Sequence, residues 1–159
     1  MTEVTMYDSV NWRAIPQDAG YIAIYADGKY AADRDEVQAA YPDAEIISIT
    51  VTGTDYGAGA CDVESGDMSP DQVPNYVVRR LEAHPNGAMC RPYMNRTTWP
   101  AVQRYVGNLS AAQRASVRYW VADWTGEPHL LPGADAVQYR NLPDYDVSIV
   151  NLDRFFPAP

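Results

Sequence analysis

The stretch Glu45–Glu64, EIISITVTGTDYGAGACDVE, decides the fold prediction because it contains two strand patterns separated by a glycine-containing turn. Residues 45–52 are rich in β-branched side chains, which favour strands. Apolar residues occur at both odd-numbered and even-numbered positions of this run, as is typical of strands that are covered on both faces. Residues 60–64 form a shorter strand pattern that contains two acidic side chains, Asp62 and Glu64.

The rest of the chain continues this alternation of short apolar runs with polar or helical stretches. Further strands are predicted over residues 6–10, 21–26, 88–93, 117–124, 134–139 and 146–150. Helical segments are predicted over residues 33–41, 69–83, 98–106 and 110–115, with Asp33 as an N-cap and Pro70 in a first turn.

Eight strands with intervening helical segments predict an α/β fold with parallel strands, and eight is the number that closes a (β/α) barrel of TIM type. Such barrels usually need at least ~200 residues. A chain of 159 residues therefore predicts one compact barrel domain over residues 1–159, with short or missing helices. A doubly wound open sheet is the structural alternative.

Charge and composition restrict the possible partners. The chain carries 12 basic and 21 acidic residues, a net charge of −9, so nucleic acid and anionic membrane surfaces are not expected partners. No apolar run approaches the ~20 residues that a spanning helix requires. The N-terminal residues, Met1–Thr5, lack the basic and apolar regions of a signal peptide.

The chain lacks the other common catalytic and cofactor-binding motifs, so its carboxylates are the candidate catalytic groups. The two cysteines, Cys61 and Cys90, and the two histidines, His84 and His129, form no zinc-binding spacing. The chain also lacks a serine-centred hydrolase motif and a glycine-rich phosphate loop.

Asp62 and Glu64 are the sharpest candidates because residues two apart on a strand share a face. Their α-carbons are expected about 6.6 Å apart, and Cys61 and Val63 are expected to face away. Mutual repulsion with partial burial raises the pKa of one carboxyl and leaves the other ionised, a split that glycosidic bond cleavage needs. The alternative is a strand end that runs into the polar turn Ser65–Asp67.

Three further carboxylates near the ends of predicted strands are candidate site residues, Asp8 and Asp146 for catalysis and Asp123 for substrate binding. The alternative is a capping or turn residue for Asp8 and Asp146, and a surface residue for Asp123. Asp8 is near the end of the first strand, Asp123 ends the sixth and Asp146 begins the eighth.

Aromatic residues are candidate walls of a sugar-binding cleft, because tyrosine and tryptophan combine an apolar face with a polar group. The candidates are Tyr93, Trp124 and Tyr139, whereas Trp99 and Trp120 are expected to pack in the core.

Together these motifs resemble family 25 glycoside hydrolases, the lysozyme-type muramidases often found in phage endolysins. The resemblance is carried, in chain order, by Tyr7-Asp8-Ser9, Asp62-Val63-Glu64, Trp120-Val121-Ala122, Gln138-Tyr139 and Tyr145-Asp146-Val147-Ser148. It implies a hydrolase that cuts peptidoglycan between N-acetylmuramic acid and N-acetylglucosamine, without a metal or organic cofactor. The lack of a signal-peptide pattern, taken with a phage-like or actinobacterium-like resemblance, predicts a protein that stays in the cytoplasm until it is released to the cell wall. Export by other machinery is the alternative.

The resemblance implies a role for each acidic residue. Glu64 would be the general acid, and Asp62 would stabilise an oxazolinium ion formed by the substrate's N-acetyl group or act as a nucleophile. Asp8 and Asp146 would shape the pocket and hold charge. Asn151 or Asp153 could replace Asp146 in the family's final motif.

The chain also departs from the family pattern, and this leaves two alternatives open. Residues 48–51 (SITV) stand where the family has a Tyr-x-Phe signature. The same barrel could therefore be a non-catalytic accessory module that binds glycan. In an unrelated α/β protein, Asp62, Glu64 and Asp67 could instead hold a divalent cation.

Overall fold

The structure, a computed structural model, describes residues 1–157, in which eight strands close into one barrel. The strands are β1 (Glu3–Asp8), β2 (Tyr21–Tyr25), β3 (Glu45–Thr50), β4 (Ala60–Asp62), β5 (Arg91–Asn95), β6 (Trp120–Ala122), β7 (Ala136–Asn141) and β8 (Asp146–Asn151). The helices are α1 (Arg34–Ala40), α2 (Val73–Ala83), α3 (Trp99–Val106), α4 (Ala111–Arg114) and α5 (Leu152–Phe155), with 3₁₀ turns at Trp12–Ala14 and Pro70–Gln72.

The strand order around the barrel is the sequence order, which confirms the TIM-type barrel and excludes the open sheet. The expectation that all strands are parallel was wrong for the last one. Strands β1 to β7 pair in parallel, whereas β8 is antiparallel to both β7 and β1. Only residues 142–145 connect β7 to β8, and a parallel crossover needs a dozen or more residues.

The covering layer is incomplete, as the short chain predicted. Residues 51–59 connect β3 to β4 without a helix, and residues 123–135 connect β6 to β7 in the same way. Helix α1 begins where predicted, because the side chain of Asp33 accepts hydrogen bonds from the backbone N–H groups of Asp35 and Glu36. None of the helices within residues 1–157 is long and apolar enough to cross a membrane.

Several strands differ in length from their predictions. The first strand ends at Asp8 because Ser9 turns away, with its hydroxyl donating to the carbonyl groups of Asn11 and Asp144. The sixth strand covers only Trp120–Ala122, since Val117 makes only an isolated bridge to Cys90.

The core has separate inner and outer parts. Inside the barrel, Met6, Ile49, Tyr93 and Trp120 belong to one buried cluster. Outside β4, Cys61 and Val63 pack with residues of α2 and α3, as the alternation of strand faces predicted. Cys61 and Cys90 are both buried thiols.

Candidate active site

The candidate site is a cavity at the rim where the parallel strands end, the position at which TIM-type barrels place their active sites. Its volume is about 160 Å³. Ten residues line it: Asp8, Tyr25, Ile49, Asp62, Glu64, Tyr93, Trp120, Trp124, Asn141 and Asp146. All four predicted catalytic residues are therefore brought together, although they are separated by up to 138 positions in sequence.

The antiparallel pairing of β8 with β1 places Asp8 directly opposite Asp146. Asp8 is buried, with 4% of its surface exposed. Burial, followed by repulsion from the Asp146 carboxylate, raises the pKa of Asp8, and burial also raises the pKa of Asp146. Because two adjacent carboxylates resist joint ionisation, this pair retains a proton above the usual range for aspartate.

Asp62 ends β4, and Glu64 lies two residues further along, at the mouth of the cavity. Asp62 is only 3% exposed, and burial followed by repulsion from Glu64 raises its pKa to about 8. Glu64 is exposed, and its pKa is raised by partial burial and then by Asp67. The expected split between one raised and one ordinary pKa is therefore not present in the free chain. The pKa values of both carboxyls are raised, because burial acts on Asp62 as well as on Glu64.

Asp62, Glu64 and Asp67 also bring one carboxylate oxygen each within 4.8 Å of the others. Oxygen ligands at such spacing suit magnesium or calcium. Asp62 Oδ1 is buried without a hydrogen-bond partner among residues 1–157. The geometry therefore accommodates a hard cation as well as acid–base chemistry.

Gln138 connects the carboxylates to the aromatic side chains. Its Nε2 donates to both carboxylate oxygens of Asp8, at 3.1 and 3.2 Å. Its Oε1 accepts from the Tyr93 hydroxyl at 2.9 Å and from Trp124 Nε1 at 2.8 Å. Gln138 is 1% exposed, so these bonds fix the site from within the barrel.

The aromatic candidates separate into two groups. Tyr93 and Trp124 line the cavity, and Trp124 keeps 61% of its surface exposed. Trp120 is buried, as expected for a core residue, but it also forms part of the cavity wall and donates to Ser148 Oγ at 3.0 Å.

Tyr139 and Asp123 do not reach the cavity, contrary to the placement that we predicted for them. Tyr139 lies at a bulge in β7, where the register against β8 shifts between Gln138 and Arg140, and its side chain is not among those that line the cavity. Asp123 accepts from His129 Nε2 at 2.8 Å and lies 3.5 Å from Arg96 Nη1. Asp123 is therefore engaged in a loop contact beside the site.

The ambiguity over the final acidic residue is resolved by position. Asn151 pairs with Glu3 at the opposite end of β8 from Asp146. Asp153 lies near the N-terminus, where its Oδ2 accepts from the backbone N–H of Thr2. Among these three residues, only Asp146 lines the cavity.

Sequence reasoning missed Tyr25 and Asn141 as cavity residues. Both lie at the rim end of a strand, Tyr25 at the end of β2 and Asn141 at the end of β7. Their position at the end of a strand was the available signal.

Comparison with solved structures identifies the fold. The chain superimposes on a bacterial lysozyme from Streptomyces coelicolor with a TM-score of 0.60 and 17% identity, covering 99% of this chain and 98% of that one. It matches a family GH25 lysozyme from Aspergillus fumigatus with a TM-score of 0.60, 16% identity and 94% coverage of both chains. The spore cortex lytic enzyme SleM from Clostridium perfringens gives a TM-score of 0.54 and 9% identity, covering 94% of this chain and 67% of that one.

No family model matches the chain, and no curated protein matches it. The fold and the cavity define a compact TIM-type barrel with a carboxylate-lined site at its C-terminal rim. More narrowly, the chain has the fold of the GH25 lysozymes, as its sequence motifs predicted.

Proposed function

We propose that this chain is a peptidoglycan hydrolase of the muramidase type, which cleaves the β-1,4 bond between N-acetylmuramic acid and N-acetylglucosamine. The observation that carries the proposal is the convergence of Asp8, Asp62, Glu64 and Asp146 in one cavity with aromatic walls. The likeness of the barrel to solved lysozymes supports the choice of substrate.

Glu64 is the general acid in this proposal. It is the exposed member of the acidic pair, so a glycosidic oxygen entering the cavity can approach its carboxyl group. Partial burial and Asp67 raise its pKa, which favours the protonated form that an acid needs. Glu64 gives its proton to the leaving oxygen, and the resulting carboxylate later accepts a proton from the attacking water.

Asp62 stabilises the positive charge that develops on the sugar. In the free chain Asp62 competes with Glu64 for protons, because burial holds its pKa at about 8. The reactive arrangement has Glu64 protonated and Asp62 ionised, so Asp62 must lose its proton before or during the reaction. A neighbouring positive charge favours the ionised form of Asp62, so the reaction itself promotes this arrangement.

Trp124 supports the sugar at the mouth of the cavity. Its ring is largely exposed while its Nε1 is fixed by Gln138, so an apolar face is presented in a defined orientation. Such a face packs against the C–H side of a pyranose ring.

The oxygen cluster of Asp62, Glu64 and Asp67 favours a second candidate, a divalent-cation site. Under that alternative, addition of EDTA abolishes activity and added magnesium or calcium restores it. Under the muramidase proposal, EDTA leaves the rate unchanged, because protons and carboxylates carry the chemistry.

The test is to digest purified peptidoglycan, reduce the released fragments with borohydride and identify the reduced sugar by mass spectrometry. Reduced N-acetylmuramic acid at the new ends supports the proposal, and reduced N-acetylglucosamine contradicts the assigned bond. If the chain binds glycan but releases no new reducing ends, the accessory-module alternative replaces hydrolysis.

A further inference from the structure

A second cavity lies on the side of the barrel where no helix connects β3 to β4. Its volume is about 480 Å³, and it shares no lining residue with the cavity that contains Glu64. Three arginines line it, Arg34 from α1, Arg80 from α2 and Arg91 from β5. This is a concentration of positive charge in a chain with only 12 basic residues and a net charge of −9.

Arg91 is a buried cation without a partner carboxylate. It is 8% exposed, and it donates to the carbonyl oxygens of Phe155 and Gly59. No carboxylate oxygen of residues 1–157 lies within 4.0 Å of its guanidinium nitrogens. Burial, followed by repulsion from Arg80, lowers the pKa of Arg91 to about 10. Buried charges in proteins are normally paired, so this position favours an anion.

Arg80 extends the same positive region and retains free donors. Its Nε donates to the carbonyl of Met89, and its Nη1 donates to the carbonyls of Tyr56 and Gly57. Its Nη2 has no hydrogen-bond acceptor in the described part of the chain, which leaves two N–H groups available.

Gly59 allows the two guanidinium groups to approach one opening. A β-carbon at this position would lie 3.0 Å from Arg91 Nη1 and 3.6 Å from Arg80 Nη2. Both nitrogens thus border the space that the absent side chain leaves. A convergent pair of guanidinium groups is the usual means of holding a small oxyanion.

We propose that this cavity binds a small oxyanion, a phosphate or carboxylate group, between Arg80 and Arg91. Arg34 supplies a third positive charge, while its own donors engage Ser48 Oγ and the carbonyl of Ile46. Glu45 and Asp55 also line the cavity without forming an ion pair to any of the three arginines. Their negative charge restricts the site to a single small anion and disfavours an extended polyanion.

The test titrates the ¹⁵N-labelled chain with inorganic phosphate, and separately with acetate, against sodium chloride of equal ionic strength. The arginine Nε–H signals are followed by NMR. Saturable shifts of the Arg80 and Arg91 signals, with the Arg79 signal unchanged, are the expected result. Saturation by phosphate alone assigns a phosphate ligand, and saturation by acetate alone assigns a carboxylate.

The variants Arg80→Gln and Arg79→Gln form a matched pair on α2, since Arg79 is exposed and pairs with Glu82. Arg80→Gln should weaken binding of the saturating anion about tenfold, as expected for a lost charged hydrogen bond. Arg79→Gln should bind as the wild type does. Equal affinity in both variants, or no saturable shift in the wild type, overturns the proposal. If Arg80→Gln does not fold, the wild-type titration decides the proposal, through the presence or absence of saturable shifts of the Arg80 and Arg91 signals.

Discussion

At the scale of single residues, Gln138 determines how the site is held together. One side chain orients Asp8 through its amide N–H groups and orients both Tyr93 and Trp124 through its oxygen. It touches no group that we assign to proton transfer, so we interpret it as a positioning residue.

Replacing Gln138 with leucine should lower kcat and raise KM together, by roughly tenfold or more in kcat/KM. The variant leaves Asp8 and the Tyr93 hydroxyl without their partners, and an unsatisfied buried polar group costs about 1–3 kcal/mol. Gln138→Glu should not restore activity, because it adds a carboxylate beside Asp8. Tyr139→Phe, at the neighbouring position outside the cavity, is the control. Equal kinetics for Gln138→Leu and Tyr139→Phe would remove the positioning role.

Asp62 lowers the free energy of unfolding at neutral pH. An aspartate in the unfolded chain ionises near pH ~3.9, whereas burial holds the folded pKa of Asp62 at about 8. Between these values the folded chain keeps a proton that the unfolded chain has lost. The free energy of unfolding contributed by Asp62 therefore falls as pH rises through this window and reaches its minimum above the folded pKa.

Asp62→Asn should consequently raise Tm near pH ~8 and leave it almost unchanged near pH ~4. Each kcal/mol recovered corresponds to roughly 2–4 °C for a chain of this size. Thermal unfolding followed by circular dichroism at both pH values measures the effect, with the exposed turn variant Asp43→Asn as the control. An increase in Tm that is equal at the two pH values would be incompatible with a raised pKa of Asp62.

At the scale of elements, the turns after β2 and β3 support the cavity. Asp27 accepts from the hydroxyl of Thr50 and from the backbone N–H of Val51, which joins these two turns. Gly28 follows with a φ of +79°, and a β-carbon there would lie 2.6 Å from Val51 Cγ2. Both the backbone conformation and the available space thus require glycine.

Gly28→Ala should lower the stability by about 1–2 kcal/mol from the backbone conformation alone, and by more from the contact with Val51. This corresponds to a fall in Tm of several degrees. Gly20→Ala is the matched control, since a β-carbon there meets no heavy atom within 4 Å. Unfolding curves that coincide for the two variants would contradict this account of the turn.

The elements that sequence analysis located correctly are those with a strong local signal. The β-branched run of β3 and the side-chain cap at Asp33 are decided by neighbours in the chain. The direction of β8 was also predictable in principle, because the length of the connection to β7 sets it. The prediction instead assumed that β8 is parallel because the preceding strands are.

The remaining features of the site depend on contacts between distant segments. The bond from Gln138 to Asp8 joins residues 130 positions apart, and no local pattern encodes it. Asp123 resembled a strand-end carboxylate, yet its position is determined by His129 in the following loop. The acidic pair itself was recognisable because Asp62 and Glu64 are only two residues apart.

At the scale of the whole molecule, the net charge of −9 affects the approach to the proposed substrate. Peptidoglycan carries carboxylates on its peptide stems, so an acidic protein and an insoluble wall repel each other at low salt. Raising the ionic strength from about 10 mM to about 150 mM shortens the screening length from about 30 Å to about 8 Å.

The initial rate on insoluble peptidoglycan should therefore increase several-fold over this range, whereas the rate on a short soluble peptidoglycan fragment whose carboxylates have been amidated should change little. Turbidity loss and reducing-sugar release measure the two rates. Equal salt dependence for both substrates would show that net charge does not control the encounter.

The most direct test of the central claim compares reducing-end release from peptidoglycan by the wild type, Glu64→Gln and Asp67→Asn. Glu64→Gln should lose at least about 10²-fold in rate, the contribution typical of a general acid, with its Tm nearly unchanged. Asp67→Asn removes only the acidic neighbour that helps to raise the pKa of Glu64, so it should lose far less of the rate than Glu64→Gln. A Glu64→Gln variant that is folded and releases reducing ends at the wild-type rate would contradict the account.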